Sequence, residues 1–291
     1  MSSGNITASL NYLQKLDIYQ HEKPFEIMMD IPSDAKDQRQ HNTKFEAREQ
    51  TIEDIRELKC QFTLDKHGFM VREFRSALDR LGRIDENIVE GVYKPEVESL
   101  IREQVSDVDQ VFFFEWRLRS GDIHIKEGDL IDLNDLSNWI EPARVVHVDQ
   151  SPAAVLNRVQ LHMKEKAEYL LQGRVRIINI WKPVENPVED SPLAVCDSSS
   201  MEPGDLIECD IVRKRFTGAT LYAHFNPQQK WYYLSQQTPN EVLMLKIFDS
   251  QEGIEGKRCA HSAFKHPKYQ AGLPLRKSIE IRALVFTHPR N

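Results

Sequence analysis

Several familiar classes are excluded by what the chain lacks. Its four cysteines, Cys60, Cys196, Cys209 and Cys259, form no C-x-x-C pair. That argues against a zinc ribbon and a disulfide scaffold, and leaves them as reduced structural thiols. No apolar run approaches the roughly 20 residues that span a bilayer. The opening residues, Met1-Ser-Ser-Gly-Asn-Ile-Thr, hold neither a basic region nor an apolar stretch. A secretory signal is therefore not expected, and a cytoplasmic location is. There is no Lys/Arg block either, and a formal charge of −7 offers no electrostatic footprint for nucleic acid or an anionic membrane. The remaining partner class is a small molecule, with a homodimer left open.

What is present is an ordinary globular composition: 291 residues, 40% hydrophobic and 29% charged. We expect one domain over residues 1–291, mainly β with flanking helices (α+β). Residues 1–50 are polar and read as a wrapping arm, and residues 51–107 as a helical and mixed flank. A core of short strands fills 108–291, with a helix inserted at 152–172. Within the flank, residues 69–81 read as helical. A better helix starts at Tyr93, with Pro95 in its first turn and Val97, Leu100, Ile101 and Val105 on one stripe. In the core, residues 111–119 form an apolar and aromatic run, and Ser151-Pro152 opens a helix that Gly173 ends. Strand-like runs at 205–212, 220–225, 230–234 and 242–249 are divided by Pro-Gly, Asn-Pro and Pro-Asn. Such spacing points to a sandwich or jelly roll.

Val145-Val-His147-Val-Asp149 organises the rest. On an extended backbone, residues two apart face the same way, so an imidazole and a carboxylate share one side. These are two of the three ligands in the two-histidine, one-carboxylate triad of non-haem Fe(II). The ordinary alternative makes Asp149 a helix cap and His147 a half-buried strand residue. The third ligand must come from a distant strand. His261 is the natural candidate, with His224 and His266 as competitors, while His67 beside a turn glycine reads as structural. Downstream, Arg276, Ser278, Glu280 and Arg282 alternate onto one strand face. Two guanidiniums beside a metal suit a dicarboxylate, and Arg276 with Ser278 would clamp the distal carboxylate of 2-oxoglutarate. The alternative is a surface ladder neutralised by Glu280.

The segments His147-Val-Asp149-Gln-Ser, Arg176-Ile-Ile-Asn-Ile-Trp181-Lys-Pro, Pro192-Leu-Ala-Val-Cys-Asp197, Trp231-Tyr-Tyr, His261-Ser-Ala-Phe264 and Arg276-Lys-Ser-Ile-Glu-Ile-Arg282 together resemble the fungal AsaB-type hydroxylase/desaturase family. That family includes gibberellin-desaturase-like and cephem-methoxylase-component-like proteins. The resemblance covers most of the chain. It implies a double-stranded β-helix, or cupin-like jelly roll, with His147, Asp149 and His261 as iron ligands and Arg276 or Arg282 holding the cosubstrate. Asn179 or Arg176 would reach the same site. The cofactors implied are Fe(II), 2-oxoglutarate and O2. The implied reaction hydroxylates or desaturates a C–H bond of a secondary metabolite, with succinate and CO2 as co-products. Trp181, Trp231, Tyr233 and Phe264 would wall the substrate pocket, although aromatic strand residues are usually core. Two other readings use the same fold: a cupin-like metalloenzyme without 2-oxoglutarate, which needs no paired arginines, and a noncatalytic accessory subunit.

Overall fold

The apolar runs expected as strands form strands, and these divide between two sheets. The computed structural model describes residues 4–124, 135–214 and 216–290. Among them the strands are β1 (Ile6–Leu13), β2 (Phe25–Ile27), β3 (Phe45–Asp54), β4 (Phe69–Glu73), β5 (Gln110–Ser120), β6 (Trp139–Ile140), β7 (His147–Val148), β8 (Arg174–Pro183), β9 (Leu193–Cys196), β10 (Leu206–Arg213), β11 (Phe216–Ala223), β12 (Trp231–Tyr233), β13 (Glu241–Asp249), β14 (His261–Ala263) and β15 (Lys277–Thr287). The helices are α1 (Leu64–His67), α2 (Glu86–Ile88), α3 (Lys94–Gln104), α4 (Pro152–Met163) and α5 (Ala167–Leu171). One sheet runs β1-β3-β12-β9-β14-β7-β11-β10-β2, and the other β4-β13-β8-β15-β5-β6. Together they make the jelly roll. Among the described residues no helix is long and apolar enough to cross a membrane.

The main core joins the inner faces of both sheets: Val146, Val195 and Leu221 from one pack in a cluster with Ile177, Leu245 and Leu284 from the other. The outer face of the six-stranded sheet is covered as well. Ile178, Ile180, Ile279 and Ile281 meet Val97, Leu100 and Ile101 of α3. β13 is likewise buried along its whole length, and its run Val242-Leu-Met-Leu245 shows no polar alternation, as befits a strand covered on both faces. In α3, the i, i+3, i+4 spacing of those three residues sets one stripe against the sheet, and Pro95 occupies the first turn where no N–H is needed.

Three expectations change. Residues 69–73 are not helical, because Phe69 to Glu73 pair antiparallel with Leu245 to Glu241. Phe69, Met70 and Val71 are all buried by that pairing, and a two-faced strand outcompetes the local helical pattern. Within the stretch expected as an arm, Ile6–Leu13, Phe25–Ile27 and the first part of β3 are sheet strands rather than a segment laid against the sheet. β1 pairs with β3 from Ile6↔Ile52 to Leu13↔Phe45, burying Ile6, Ala8, Leu10 and Tyr12. The exposed Arg48 and Glu49 supply the charge that suggested an arm. Finally, the helix at 152–172 is interrupted at Lys164, whose φ of 49° leaves the right-handed region. The spacing Val159, Met163, Ala167, Leu170 that reads as one helix is shared between α4 and α5. Ser151 does cap α4, its Oγ accepting from Ala154 N at 3.2 Å. Gly173 serves a close approach: a Cβ there would stand 2.0 Å from the Thr287 carbonyl oxygen.

Candidate metal centre

β7 and β14 are neighbours, with His147 directly opposite His261. The imidazole centroids lie 4.5 Å apart. Asp149, two residues past His147, brings Oδ1 to 3.6 Å from His147 Nε2 and Oδ2 to 3.8 Å from His261 Nε2. One ligand atom from each residue falls within 4.8 Å of the other two, so the group could hold a metal ion. The second ring nitrogens fix the tautomers. His147 Nδ1 lies 2.7 Å from Val145 O and His261 Nδ1 3.0 Å from Cys259 O, so each Nδ1 donates to a carbonyl and each Nε2 keeps its lone pair for the centre. Burial, followed by His147, lowers the His261 pKa and favours the neutral, ligating imidazole.

The opposing sheet orients the carboxylate. Asn179 Nδ2 donates to Asp149 Oδ2 at 2.5 Å, and Arg282 Nη2 donates to Oδ1 at 2.8 Å. Burial alone would raise the Asp149 pKa, but Arg282 and the two histidines outweigh it and hold the carboxyl well below its ordinary range. Arg282 also donates to Glu280 at 2.6 Å and to Glu115 at 2.9 Å. The register shifts between Arg282 and Ala283, which face Glu115 and Phe113, so β5 carries an extra residue, Phe114, where these groups converge.

Two cavities meet at this point. The narrow one, about 10 Å³, is lined by Arg119, Ala143, His147, Trp181, Leu193, His261, Ala263, Arg276 and Glu280. Arg276 is anchored there by Nη1 donating to Ser191 O at 2.6 Å, and its guanidinium carbon lies 5.5 Å from the Trp181 ring centre. Its Nε, and Nη1 of the neighbouring Arg144, are buried with no partner among the described residues. Burial, then the nearby Arg119, brings the Arg276 pKa down to about 9. Orphaned donors in a cluster of cations fit a carboxylate ligand, and the paired Nε2 atoms fit a divalent metal. The wide cavity, about 520 Å³, lies on the Asp149 side and reaches Met28, Ile140, Ile211, Arg213 and Tyr222.

The other expected site residues divide. Trp181 lies in the narrow pocket, beside Arg276. Ser278 lines neither cavity, and its hydroxyl is turned to Arg119 O at 3.5 Å. Arg176 is not at the site: it faces the other side of β8 from Asn179 and donates to Ser106 O, Asp107 O and Thr287 Oγ1. Trp231, Tyr233 and Phe264 line neither cavity either. Trp231 packs edge-on to Tyr12, and Tyr233 edge-on to Phe264, as core of the nine-stranded sheet. His224 Nδ1 donates to Leu13 O at 2.7 Å, and His266 stands near Tyr233, both away from the centre. Sequence reasoning missed Glu115, Arg117 and Arg119 on β5. Their signal was three charges at alternating positions in an otherwise aromatic strand.

A family model described as an oxidoreductase/YMDC permease-like domain matches residues 10–286. Among curated proteins, the Fe(II)/2-oxoglutarate-dependent dioxygenase nvfI of Aspergillus novofumigatus is 35% identical over 86% of this chain and 87% of its own length. Hydroxylase/desaturase efuI of Hormonema carpetanum is 33% identical over 84% of this chain and 85% of its own. Aspirochlorine biosynthesis protein N of Aspergillus oryzae is 44% identical over 47% of this chain, and that match spans 58% of its length. The solved structure of the iron and alpha-ketoglutarate-dependent endoperoxidase NvfI superposes with a TM-score of 0.84 at 30% identity, covering 98% of this chain and 99% of that one.

Proposed function

Because the chain belongs to the fungal hydroxylase/desaturase family of Fe(II)/2-oxoglutarate-dependent dioxygenases, we propose that His147, Asp149 and His261 hold the iron and Arg276 the distal carboxylate of 2-oxoglutarate. The protein is an enzyme of small-molecule secondary metabolism, hydroxylating or desaturating a C–H bond with succinate and CO2 as co-products. Bound together, Fe(II), 2-oxoglutarate and O2 supply the oxidising power that an unactivated C–H bond requires.

The chain's own residues supply geometry and charge. Asn179 and Arg282 hold the Asp149 carboxylate so that it meets a cation already oriented. Fixing His147 and His261 through their Nδ1 bonds keeps both lone pairs directed at one point. Arg276 offers an unpaired donor edge, and Ala143, Leu193 and Ala263 give its pocket apolar walls that keep water from the cosubstrate. Arg282, bound to three carboxylates, is occupied beside the metal ligands, which favours Arg276 as the clamp. The same reading takes the chain as one domain, since Ile6 and Phe286 share a single core cluster. Limited proteolysis that released two separately stable parts would contradict it.

The observation that carries the iron assignment is the convergence of two free Nε2 atoms and one oriented carboxylate within 4.8 Å. Anaerobic addition of Fe(II) and then 2-oxoglutarate tests it. A weak visible charge-transfer band is expected in the wild-type protein and not in Asp149→Ala. Its absence from the wild type, or its persistence in the variant, overturns the assignment.

A further inference from the structure

Among the described residues the wide cavity is lined by more guanidiniums than carboxylates. Six arginine guanidiniums line it against the carboxylates of Glu26, Glu115, Glu141 and Asp149. Fe(II) and the 2-oxoglutarate dianion bring opposite charges of equal size, so loading the centre leaves that excess in place. Among these carboxylates Glu115 is shared, bound by Arg117 at 2.7 Å and Arg282 at 2.9 Å, with Arg158 at 3.9 Å. Burial would raise the Glu115 carboxyl, but these cations hold it down at about 2, so it is ionised and already shared. A fourth guanidinium, Arg213 at the end of β10, faces the same group. Burial lowers its pKa, Glu115 pulls back, and Arg117 and Arg282 lower it further. Among the described residues the Arg213 side chain makes no hydrogen bond or ion pair, although its backbone lies in the β10–β11 ladder. Beside it the cavity is apolar, with Ile211, Met28 and the Tyr222 ring.

A half-buried guanidinium whose neighbouring carboxylate is already bound by other cations is costly unless a second anion meets it. We propose that the substrate is a largely apolar small molecule bearing a carboxylate, and that Arg213 receives this carboxylate while the apolar body lies against Ile211, Met28 and Tyr222. The inference deepens the oxygenase reading and rests on it for the identity of the cavity as the substrate's. A carboxylate matches a guanidinium with two parallel charge-assisted hydrogen bonds, which a neutral amide or ester cannot reproduce. Anchoring at Arg213 would also fix which carbon of the body stands beside the iron. Arg213 is thus a specificity-determining residue that stands apart from the metal ligands.

The test uses a fluorescent pair that differs only at the head group: 1-pyrenebutyrate and the isosteric, neutral 1-pyrenebutyramide. Each is titrated into the full-length protein with and without saturating Mn(II) and 2-oxoglutarate. The acid is expected to bind at least tenfold more tightly than the amide, with 2-oxoglutarate present as well as absent. Arg213→Gln should remove most of that preference while leaving amide binding unchanged, and Arg213→Lys should retain part of it. Equal affinities for acid and amide overturn the proposal. So does an acid preference that vanishes when 2-oxoglutarate is bound, which would place the acid at Arg276, or one that survives intact in Arg213→Gln. The oxygenase reading has its own readout in the same samples, the rise in Tm on adding Mn(II) and 2-oxoglutarate. If that rise is absent while the Arg213-dependent preference stands, the cofactor reading fails and the anion site does not.

Discussion

The pocket at Arg276 and the cavity at Arg213 share His147 and Arg119 as lining residues, yet their arginines are compensated in different ways. In the narrow pocket, Arg276 leans on a backbone carbonyl, with the Asp190 and Glu280 carboxylates nearby but no ion pair to either among the described residues, and its Nε has no partner. In the wide cavity, Arg282 and Arg117 are tied to Glu115, and Arg282 also to Asp149. A guanidinium with unmet donors is a receptor for an anion, whereas one saturated by carboxylates is a scaffold that positions its neighbours. Two arginines on one stretch of chain therefore have different duties.

Four changes would sharpen or break that contrast. The largest effect is expected at the centre common to both cavities: Ala at His147, Asp149 or His261 should abolish turnover and metal binding while the far-UV spectrum stays that of the folded protein. Full activity in any one of the three would end the assignment.

Next is Glu115→Gln, which takes away the carboxylate that holds Arg117 and Arg282. The Glu115 carboxyl is depressed from its ordinary 4.5 to about 2. A depressed carboxyl stabilises the fold above the unfolded-state value and loses that contribution as pH falls through the folded one. The variant should therefore be less stable at pH 7, by on the order of 3 kcal/mol. The gap should close as pH falls from 4.5 to about 2. Denaturant unfolding at several pH values measures it, and a gap that stays constant would show that Glu115 is not the anchor.

The third change compares the two arginines directly. Arg276→Gln should raise the 2-oxoglutarate KM at least tenfold, given roughly 1.5–3 kcal/mol for a hydrogen bond to a charged group, and leave metal affinity alone. Arg282→Gln should do the reverse, weakening metal binding through the loss of its bond to Asp149. If the two phenotypes are exchanged, the roles drawn here are exchanged with them. The smallest effect is expected from Ser278→Ala, because the hydroxyl is turned to Arg119 O at 3.5 Å and away from the pocket. A rise in the 2-oxoglutarate KM comparable to that of Arg276→Gln would restore Ser278 to the clamp.

Much of this was legible from residue spacing, because its causes are local. The His147-x-Asp149 pair, the stripe on α3 and the Ser151 cap depend on backbone periods of a few residues, and the structure reproduces each of them. The aromatic strands misled for a physical reason: Trp231, Tyr233 and Phe264 have the size and polarity of pocket walls, but the same properties serve a core between sheets, and sequence does not say which side of a strand a cavity will occupy. The charged alternation Glu115, Arg117, Arg119 was visible yet hidden inside an apolar run.

By itself the sequence determined that Asn179 and Arg176 lie on opposite faces of β8, since a strand repeats every two residues. It did not determine which face turned inward, because both faces of that strand are apolar and both are buried, one against the opposite sheet and one against α3. Only the tertiary structure decided that Asn179 would meet Asp149 and that Arg176 would be spent on Ser106, Asp107 and Thr287. The same holds for His147 and His261, which are 114 positions apart in the chain and adjacent in the sheet. Strand pairing is a choice among partners made by burial over the whole core, so no local pattern could carry it.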